Sequence, residues 1–271
     1  MQASPWGCVF AVAHAASAGS LPPDLLSPDR CYPVGFSPVR IVAADFNGDG
    51  APDLAATNQS GYFSILLNRG NGVFDPEVRY NAGLAPGPIA VADFNGDQIL
   101  DLAVCNRTDD DVSIHLGDGA GAFTLHGRFP VFEFPNGLAA ADLNEDGVID
   151  LAATCSVNGA LDRISILIGI GNGSFAPATH IVATDGPTDI AAADLNGDQH
   201  IDLIATCAAD DEVAVLLGNG DGTFGPELRF DTGSAPRAVA IADLNNDQGL
   251  DLIVANQGPL NAPTSDVSPL F

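Results

Sequence analysis

The chain has 271 residues, of which 35 are Asp or Glu and nine are Arg, with no Lys, so its formal net charge is −26 at pH 7. This excess of negative charge excludes the basic surface that nucleic acid requires, and the arginines are scattered along the sequence. No apolar run reaches the roughly 18 residues of a membrane-spanning helix. We therefore predict one domain with no nucleic-acid partner and no membrane span.

The N-terminal stretch PWGCVFAVAHAASA has the apolar core of a signal peptide. It ends in a small-x-small pattern at Ala16 and Ala18, although the first basic residue is Arg30. A signal peptide normally begins with a basic region, so the match is incomplete. One interpretation of residues 1–20 is thus a leader that is cleaved, which leaves 21–271 as a single domain.

The segment DFNGDGAPD, at residues 45–53, begins the most regular feature of the sequence. The pattern D-x-N-x-D-x-x-x-D recurs with first aspartates at Asp45, Asp93, Asp142, Asp194 and Asp243, 48 to 52 residues apart. A fixed period of this size indicates a repeat architecture.

Other positions keep the same phase as the acidic motif. A proline stands seven residues before each first aspartate, at Pro38, Pro86, Pro135, Pro187 and Pro236. A phenylalanine stands 19 residues before each of the last four motifs, at Phe74, Phe123, Phe175 and Phe224. The repeat therefore extends over whole units of about 49 residues.

Each unit reads as four short strands, A to D. Strand A precedes the acidic motif, strand B follows it, and strands C and D flank a glycine-rich turn such as GNGDG. The runs are short, rich in aliphatic residues and bounded by Gly, Asn and Asp, and no helical periodicity appears. We predict an all-β fold, a β-propeller of about five four-stranded blades, with the acidic loops between strands A and B.

These residues carry a resemblance to a known family. The motif D-x-N-x-D-x-x-x-D after an apolar strand, together with G-x-G-x-F before the next unit, resembles the FG-GAP/VCBS repeats, a group that includes the integrin α-chain propellers. The resemblance covers roughly residues 30–256. It implies a β-propeller that binds calcium in its acidic loops.

The chemistry of the acidic loops supports calcium independently. Ca²⁺ takes six to eight oxygen ligands, and side chains at loop positions 1, 3, 5 and 9 can converge with the carbonyl of position 7. Three carboxylates in each loop repel one another unless a cation lies between them. We predict about five Ca²⁺ ions per chain. The ligands are Asp45, Asn47, Asp49, Ala51 and Asp53; Asp93, Asn95, Asp97, Ile99 and Asp101; Asp142, Asn144, Asp146, Val148 and Asp150; Asp194, Asn196, Asp198, His200 and Asp202; Asp243, Asn245, Asp247, Gly249 and Asp251.

Three alternatives to these calcium sites can be weighed. An EF-hand requires Glu at position 12 and flanking helices, whereas the first loop has Ala56 there, followed by a strand-like run. An Asx-rich turn without metal explains one loop but not five with the same ligand set. Mg²⁺ fits less well because it prefers to keep its waters.

The fifth unit ends at DVSPLF, where its strand C should begin. A five-bladed ring could be closed by CVFAVA at 8–13 as strand C and RCYPVG at 30–35 as strand D. On this interpretation residues 1–20 contain a closing strand rather than a signal peptide. A third interpretation is that the repeats form part of a larger ring.

The cysteines and the remaining motifs indicate no catalytic or zinc site. Cys105, Cys155 and Cys207 end strand B in consecutive units, and we expect them to be small buried hydrophobic residues. Five cysteines without C-x-x-C spacing predict neither zinc nor a disulfide framework. The G-x-G-x-x-G of 220–225 precedes a strand rather than a helix, so we exclude a dinucleotide site.

In a four-stranded blade the A–B and C–D turns share one face, and the B–C and D–A loops share the other. We expect a protein or carbohydrate ligand to bind the latter face. Its variable loops are Asn58–Tyr62, Asn106–Asp111, Ser156–Arg163 and Ala208–Glu212. The function we expect is a secreted or cell-surface binding or adhesion module, because such calcium loops suit an extracellular calcium concentration.

Two other functions remain open. One is a propeller-fold lyase or hydrolase with its site in the central channel, although no catalytic residues can be named from the sequence. The other is a structural spacer in a larger surface protein.

Overall fold

A computed structural model describes residues 31–70, 72–157, 162–183, 186–258 and 265–270. Throughout this part of the chain the regular structure is β-strand, and no helix occurs. The strands form five separate antiparallel sheets. The all-β prediction is therefore confirmed.

Each sheet is one repeat unit, and we call the sheets blades 1 to 5 in chain order. Blade 1 contains β1 (Pro38–Ala44), β2 (Asp53–Asn58), β3 (Tyr62–Leu66) and β4 (Val78–Asn81). Blade 2 contains β5 (Pro86–Ala92), β6 (Asp101–Asn106), β7 (Asp111–Gly117) and β8 (Phe123–Pro130). Blade 3 contains β9 (Pro135–Ala141), β10 (Asp150–Cys155), β11 (Arg163–Leu167) and β12 (Thr179–Val182). Blade 4 contains β13 (Pro187–Ala193), β14 (Asp202–Cys207), β15 (Glu212–Leu216) and β16 (Leu228–Asp231). Blade 5 contains β17 (Pro236–Ala242), β18 (Asp251–Asn256) and β19 (Asp266–Leu270).

The repeated prolines mark the first residue of strand A in every blade. Proline has no N–H to donate, so the start of a strand is a position that it tolerates. Strand B lies second in each sheet, and in blades 2, 3 and 4 every residue of it is buried. Its near-continuous apolar sequence follows from this burial on both faces.

Neighbouring blades are joined by aromatic packing beside the acidic loops. Phe46, at position 2 of the first loop, contacts Phe123 of blade 2 with ring centroids 5.4 Å apart. Phe94, at position 2 of the second loop, packs in the same way on Phe175 of blade 3, at 6.0 Å. Each buried phenylalanine contributes about 1.5–3 kcal/mol to the free energy of unfolding. The repeated phenylalanines of blades 2 and 3 are therefore inter-blade contacts.

The packing between blades does not continue from blade 5 to blade 1. Strand A of each blade packs on strand A of the next from β1 to β17, but among the described residues β17 and β1 are not packed in this way. Ile41 of β1 is consequently 61% exposed, whereas Ile89 and Ile190, at the same repeat position, are 8% and 5% exposed. We call this open edge between β17 and β1 the seam.

The interpretation that residues 8–13 supply strand C of blade 5 falls on residues outside the described part of the chain. Asp266–Leu270 pairs antiparallel with β18 and supplies that strand from within the fifth unit. Residues 31–35 have no strand structure, so they do not form strand D of blade 5. They lie on blade 1, where Tyr32 contacts Phe74 and the Phe36 amide donates to the Tyr62 hydroxyl. Residues 1–30 lie outside the described part of the chain.

The interpretation of the strand B cysteines is confirmed. Cys105, Cys155 and Cys207 are fully buried and form no disulfide. Burial raises the pKa of the Cys155 thiol to about 12, so it stays protonated at neutral pH. These residues act as small apolar side chains rather than nucleophiles.

Candidate metal-binding loops and the opposite face

The aspartate at position 1 organises each acidic loop. In the first loop, Asp45 Oδ1 accepts hydrogen bonds from the amides of Gly48 and Asp49, at 2.8 and 3.2 Å. Its Oδ2 accepts one from the amide of Gly50 at 2.7 Å. The bond to position 6 recurs in all five loops at 2.7–3.0 Å. One carboxylate therefore sets the curvature of the loop by an Asx-type turn.

Positions 3 and 5 continue the same pattern. Asn47 Oδ1 accepts from the amide of Asp49 at 3.0 Å, and Asp49 Oδ1 accepts from the amide of Ala51 at 2.8 Å. Both bonds recur in every loop, at 2.8–3.1 Å and 2.7–2.9 Å. The side chains at positions 1, 3 and 5 thus hold one turn together through its own amides.

The loop backbone is left-handed at positions 4 and 6. The residues with positive φ there are Gly48 and Gly50, Gly96 and Gln98, Glu145 and Gly147, Gly197 and Gln199, and Asn246 and Gln248. Glycine adopts this conformation without strain, but a glutamine or glutamate does so at a cost of roughly 1–2 kcal/mol. Backbone strain of this kind concentrates at functional sites.

The aspartate at position 9 has a structural task that the sequence did not indicate. Asp53 is fully buried at the start of β2, where Oδ2 accepts from the Phe46 amide at 3.0 Å and Oδ1 from the Asn68 amide at 2.6 Å. It therefore ties the acidic loop to the residues that follow strand C. Asp101, Asp150 and Asp202 make the same two bonds, and Asp251 makes the bond to its loop. We call this arrangement the aspartate clasp.

Burial raises the pKa of the clasp carboxyl groups in blades 1 to 4. The pKa values of Asp101 and Asp150 rise to about 6, chiefly because burial penalises the charged form. The amides that each accepts lower the pKa, whereas the loop aspartates at positions 1 and 5 raise it further. The pKa values of Asp53 and Asp202 rise for the same reasons. A cation in the loop would oppose this shift by favouring the charged carboxylate.

The donor set fits a hard divalent cation. Each loop gathers carboxylate, amide and carbonyl oxygens with no nitrogen or sulfur ligand, which is the set that Ca²⁺ prefers. A carboxylate oxygen that accepts a single amide, such as Oδ2 of Asp45, keeps a second lone pair for a metal. Among the described residues, however, no three acidic, His or Cys side chains already stand in metal-binding geometry. The carboxylates lie instead on their own loop amides, and their role as ligands stays a prediction.

The opposite face is built around the residue before each strand A proline. These residues, Ser37, Ala85, Phe134, Gly186 and Ala235, all have positive φ. Each accepts, through its carbonyl, the amide of the first residue after strand B at 2.9–3.3 Å. Those donors are Gln59, Arg107, Ser156, Ala208 and Gln257. We call this fivefold arrangement the proline frame.

The proline frame surrounds a cavity of about 610 Å³, lined by the first residues of strand A from all five blades. Arg40, Arg107 and Arg237 also line it. These arginines are far apart in sequence, and the sequence analysis did not predict that they line one cavity. The register of the repeat could have revealed them, because all three lie within three residues of a frame proline or at the first position after strand B.

Comparison with family models identifies the repeats. The model of the FG-GAP-like repeat matches residues 45–104, 93–153 and 194–254, and each match begins at the first aspartate of an acidic loop. The chain belongs to the FG-GAP-like repeat family. Each match is thus in phase with the period read from the sequence, and it runs from the acidic loop of one blade into strand B of the next.

Several solved structures have a similar fold. The BP39L lectin from Burkholderia pseudomallei is 15% identical with a TM-score of 0.62, covering 86% of this chain and 66% of the lectin chain. A putative 6-phosphogluconolactonase from Bacteroides uniformis is 15% identical with a TM-score of 0.55, covering 72% and 55%. The V. cholerae biofilm matrix protein Bap1 is 20% identical with a TM-score of 0.51, covering 88% and 38%.

These likenesses concern the fold alone, since the three proteins differ in their described roles. The FG-GAP-like chain spans between 38% and 66% of their lengths. No curated protein matches it in sequence. In the described residues no helix is long and apolar enough to cross a membrane.

Proposed function

We propose that this FG-GAP-like propeller is a secreted or cell-surface binding module, stabilised by calcium in its acidic loops. The ligand is a protein or a carbohydrate, and it binds the face formed by the B–C and D–A loops. The observation that supports the metal most directly is one loop geometry repeated five times with the same oxygen donors. The proline frame on the other face supports the recognition surface.

Calcium has a defined electrostatic task in this proposal. Each loop gathers three aspartates, two of them at positions 1 and 5 and the third buried in the clasp. A divalent ion among them would relieve their repulsion and favour the charged form of the buried carboxyl group. Five ions would change the formal charge from −26 to −16, since five ions carry +10. Weak extracellular sites of this type have dissociation constants of roughly 10⁻⁴ to 10⁻³ M.

The recognition face combines a constant backbone with changing side chains. The frame holds the first B–C residue of every blade by the same backbone hydrogen bond, yet the five side chains are Gln, Arg, Ser, Ala and Gln. The fold therefore does not dictate their identity, and they are available for a ligand. The acidic loops, by contrast, have nearly the same side chains in every blade.

Calcium binding can be measured by calorimetric titration of the demetallated protein. We expect close to five ions per chain. At about 1 mM calcium each site would add around 0.4–1.4 kcal/mol by mass action, so chelation should lower the melting temperature markedly. A stoichiometry of zero or one, or a melting temperature that calcium does not change, would contradict the proposal.

A single substitution tests the independence of the sites. Asp49→Ala should remove one ion and leave the other four, because each loop is built within one blade. The matched control is Asp75→Ala, which removes the same charge from an exposed aspartate that pairs with Arg69 outside the loops. The control should keep all five ions.

Ligand recognition requires a separate experiment. The calcium-loaded protein is screened against glycan and protein arrays, and hits are repeated with substitutions at Gln59 and Ser156 on the recognition face. Binding that these substitutions abolish, while calcium stoichiometry stays intact, supports the proposed face. Binding that responds only to substitutions in the C–D turns would place recognition on the other face.

A further inference from the structure

We propose that the cavity inside the proline frame binds the oxyanion group of a small ligand through Arg40, Arg107 and Arg237. The group is a carboxylate, phosphate or sulfate, which share the acceptor geometry that guanidinium recognises. This inference rests on the proposed function, because it assigns a ligand chemistry to the recognition face. We call the three residues the arginine cluster.

All five blades contribute residues to the wall of the cavity. Its wall includes the residue after the frame proline from every blade, namely Val39, Gly87, Asn136, Thr188 and Arg237. Arg40 extends from β1 of blade 1, and Arg107 from the B–C loop of blade 2. Three elements of three different blades therefore bring positive charge to one place.

The other described arginines are engaged elsewhere. Arg69, Arg79, Arg128 and Arg229 form ion pairs with carboxylates of their own blades. Arg163 lies over the Phe132 ring and donates to the Asp162 carbonyl. Among the described residues, Arg40, Arg107 and Arg237 of the arginine cluster form no ion pair. In a chain with 35 acidic residues, this grouping leaves its positive charge available to a ligand.

Two contacts within the frame bear on the cluster. Arg237 Nε donates to Gln257 Oε1 at 2.8 Å, which orients the guanidinium without neutralising it. Arg40 lies near the half-buried Asp189, whose carboxyl group accepts the Val239 amide. The Arg40 charge lowers the pKa of Asp189, although burial raises it more strongly. Arg107 has neither kind of contact, so it is the arginine most available to an incoming anion.

The neutral lining defines the rest of the ligand. Gln59, Asn136 and Thr188 offer uncharged donors and acceptors in the same cavity. Its volume of about 610 Å³ lies within the range of sites for small organic molecules. A long polyanion is disfavoured because the net charge of −26 repels it before it reaches the cavity. The chemistry therefore favours a compact polar molecule with one anionic group.

Four compounds with one sugar scaffold test this inference. Glucuronate, glucose 6-phosphate and glucose 6-sulfate each carry an oxyanion at the same end, and glucose carries none. Each is titrated into calcium-loaded protein at constant ionic strength by calorimetry. We expect at least one anion to bind and glucose to give no signal, and the anion that binds identifies the preferred group. Binding should weaken as sodium chloride is raised.

Matched substitutions connect any binding to the cavity. Arg107→Gln and Arg237→Gln should each weaken the anion at least about tenfold, which corresponds to losing one charge-assisted contact. Arg69→Gln is the control, since it removes the same charge from the C–D turn of blade 1 on the opposite face. An equal loss in the control would overturn the inference, because net charge alone would then explain the binding.

Failure of this inference is distinguishable from failure of the proposed function. If none of the anions binds at concentrations up to about 10 mM, the arginine cluster is not an anion site. A neutral ligand found on the same face in the array screen would then leave the binding module intact. Unchanged calcium stoichiometry and melting temperature in the arginine variants exclude misfolding as the cause of a lost signal.

Discussion

The aspartate clasp places a carboxyl group where water does not reach it. Asp101 is fully buried and accepts two amides, one from its own loop and one from the end of strand C. The two bonds stabilise its charge, yet burial outweighs them and raises the pKa to about 6. Without a cation this residue therefore stabilises the folded protein best when it is protonated. Calcium would reverse that preference.

The clasp predicts opposite pH dependences for the two forms of the protein. The folded pKa of about 6 for Asp101 and Asp150 lies above the ordinary value of 3.8. Stability from the bound proton is therefore complete below about 4 and is lost as pH rises through 6. Resin-stripped protein should lose stability over this window, as measured by urea denaturation. Calcium-loaded protein should gain stability, because the ion binds the charged carboxylate.

Carbon-13 NMR of the aspartate carboxyl groups checks the assignment directly. In metal-free protein Asp101 should titrate near pH 6, while the pKa of Asp198, which the His200 amide lowers, should lie below the ordinary value of 3.8. If Asp101 instead titrates near 4 without calcium, the clasp is not desolvated in solution.

At the scale of the acidic loop, different residue types adopt the same left-handed backbone at position 6. Position 6 is Gly50 in the first loop and Gln98 in the second, with φ of 84° and 68°. Both amides donate to the aspartate at position 1, so the two loops share one conformation. The first loop adopts it freely, and the second adopts it against the preference of an L-residue.

A reciprocal exchange measures this strain. Gln98→Gly should raise the free energy of unfolding by about 0.5–1 kcal/mol, because relief of the left-handed backbone outweighs the added freedom of the unfolded chain. Gly50→Gln should lower the free energy of unfolding by a similar amount, because glutamine adopts the left-handed backbone at a cost. Space is open around an added side chain there, so no clash adds to that cost. Both are measured by chemical denaturation with saturating calcium. Two changes of the same sign would refute the backbone explanation.

The starts of the strands and the positions of the acidic loops could be predicted from the sequence, because they depend on residues close together in the chain. The prolines fixed the start of each strand A, and the spacing of the aspartates indicated the loops. The second bond of the clasp could not be predicted, since Asp53 and Asn68 meet only when strand C folds back beside strand B. The arginine cluster was missed because it depends on how blades are arranged around the cavity.

On the scale of the whole molecule, the seam distinguishes blade 1 from its neighbours. Blades 2 to 4 are covered on both sides, and their strand A residues at the repeated aliphatic position are largely buried. In blade 1 the corresponding Ile41 is 61% exposed. The cavity is nevertheless lined by residues of both β1 and β17. The seam therefore leaves the strand A side of blade 1 exposed, while β1 and β17 still line the same cavity.

Two substitutions at one repeat position test the seam. Ile89→Ala should lower the free energy of unfolding by roughly 2–5 kcal/mol, as expected for a buried isoleucine. Ile41→Ala should change it by less than about 0.5 kcal/mol, as expected for an exposed one. Urea denaturation measures both. An equally large loss for Ile41→Ala would mean that other parts of the protein cover the seam in solution.

The proline frame has a consequence for protein engineering. It fixes its five donor residues through their backbone amides, so their side chains can be exchanged without changing the bonds that hold them. Randomising positions 59, 107, 156, 208 and 257 together would give a combinatorial library in which most members should still fold. Selection from such a library could redirect the scaffold to new targets, since the five variable positions are held by the same backbone bond in every blade.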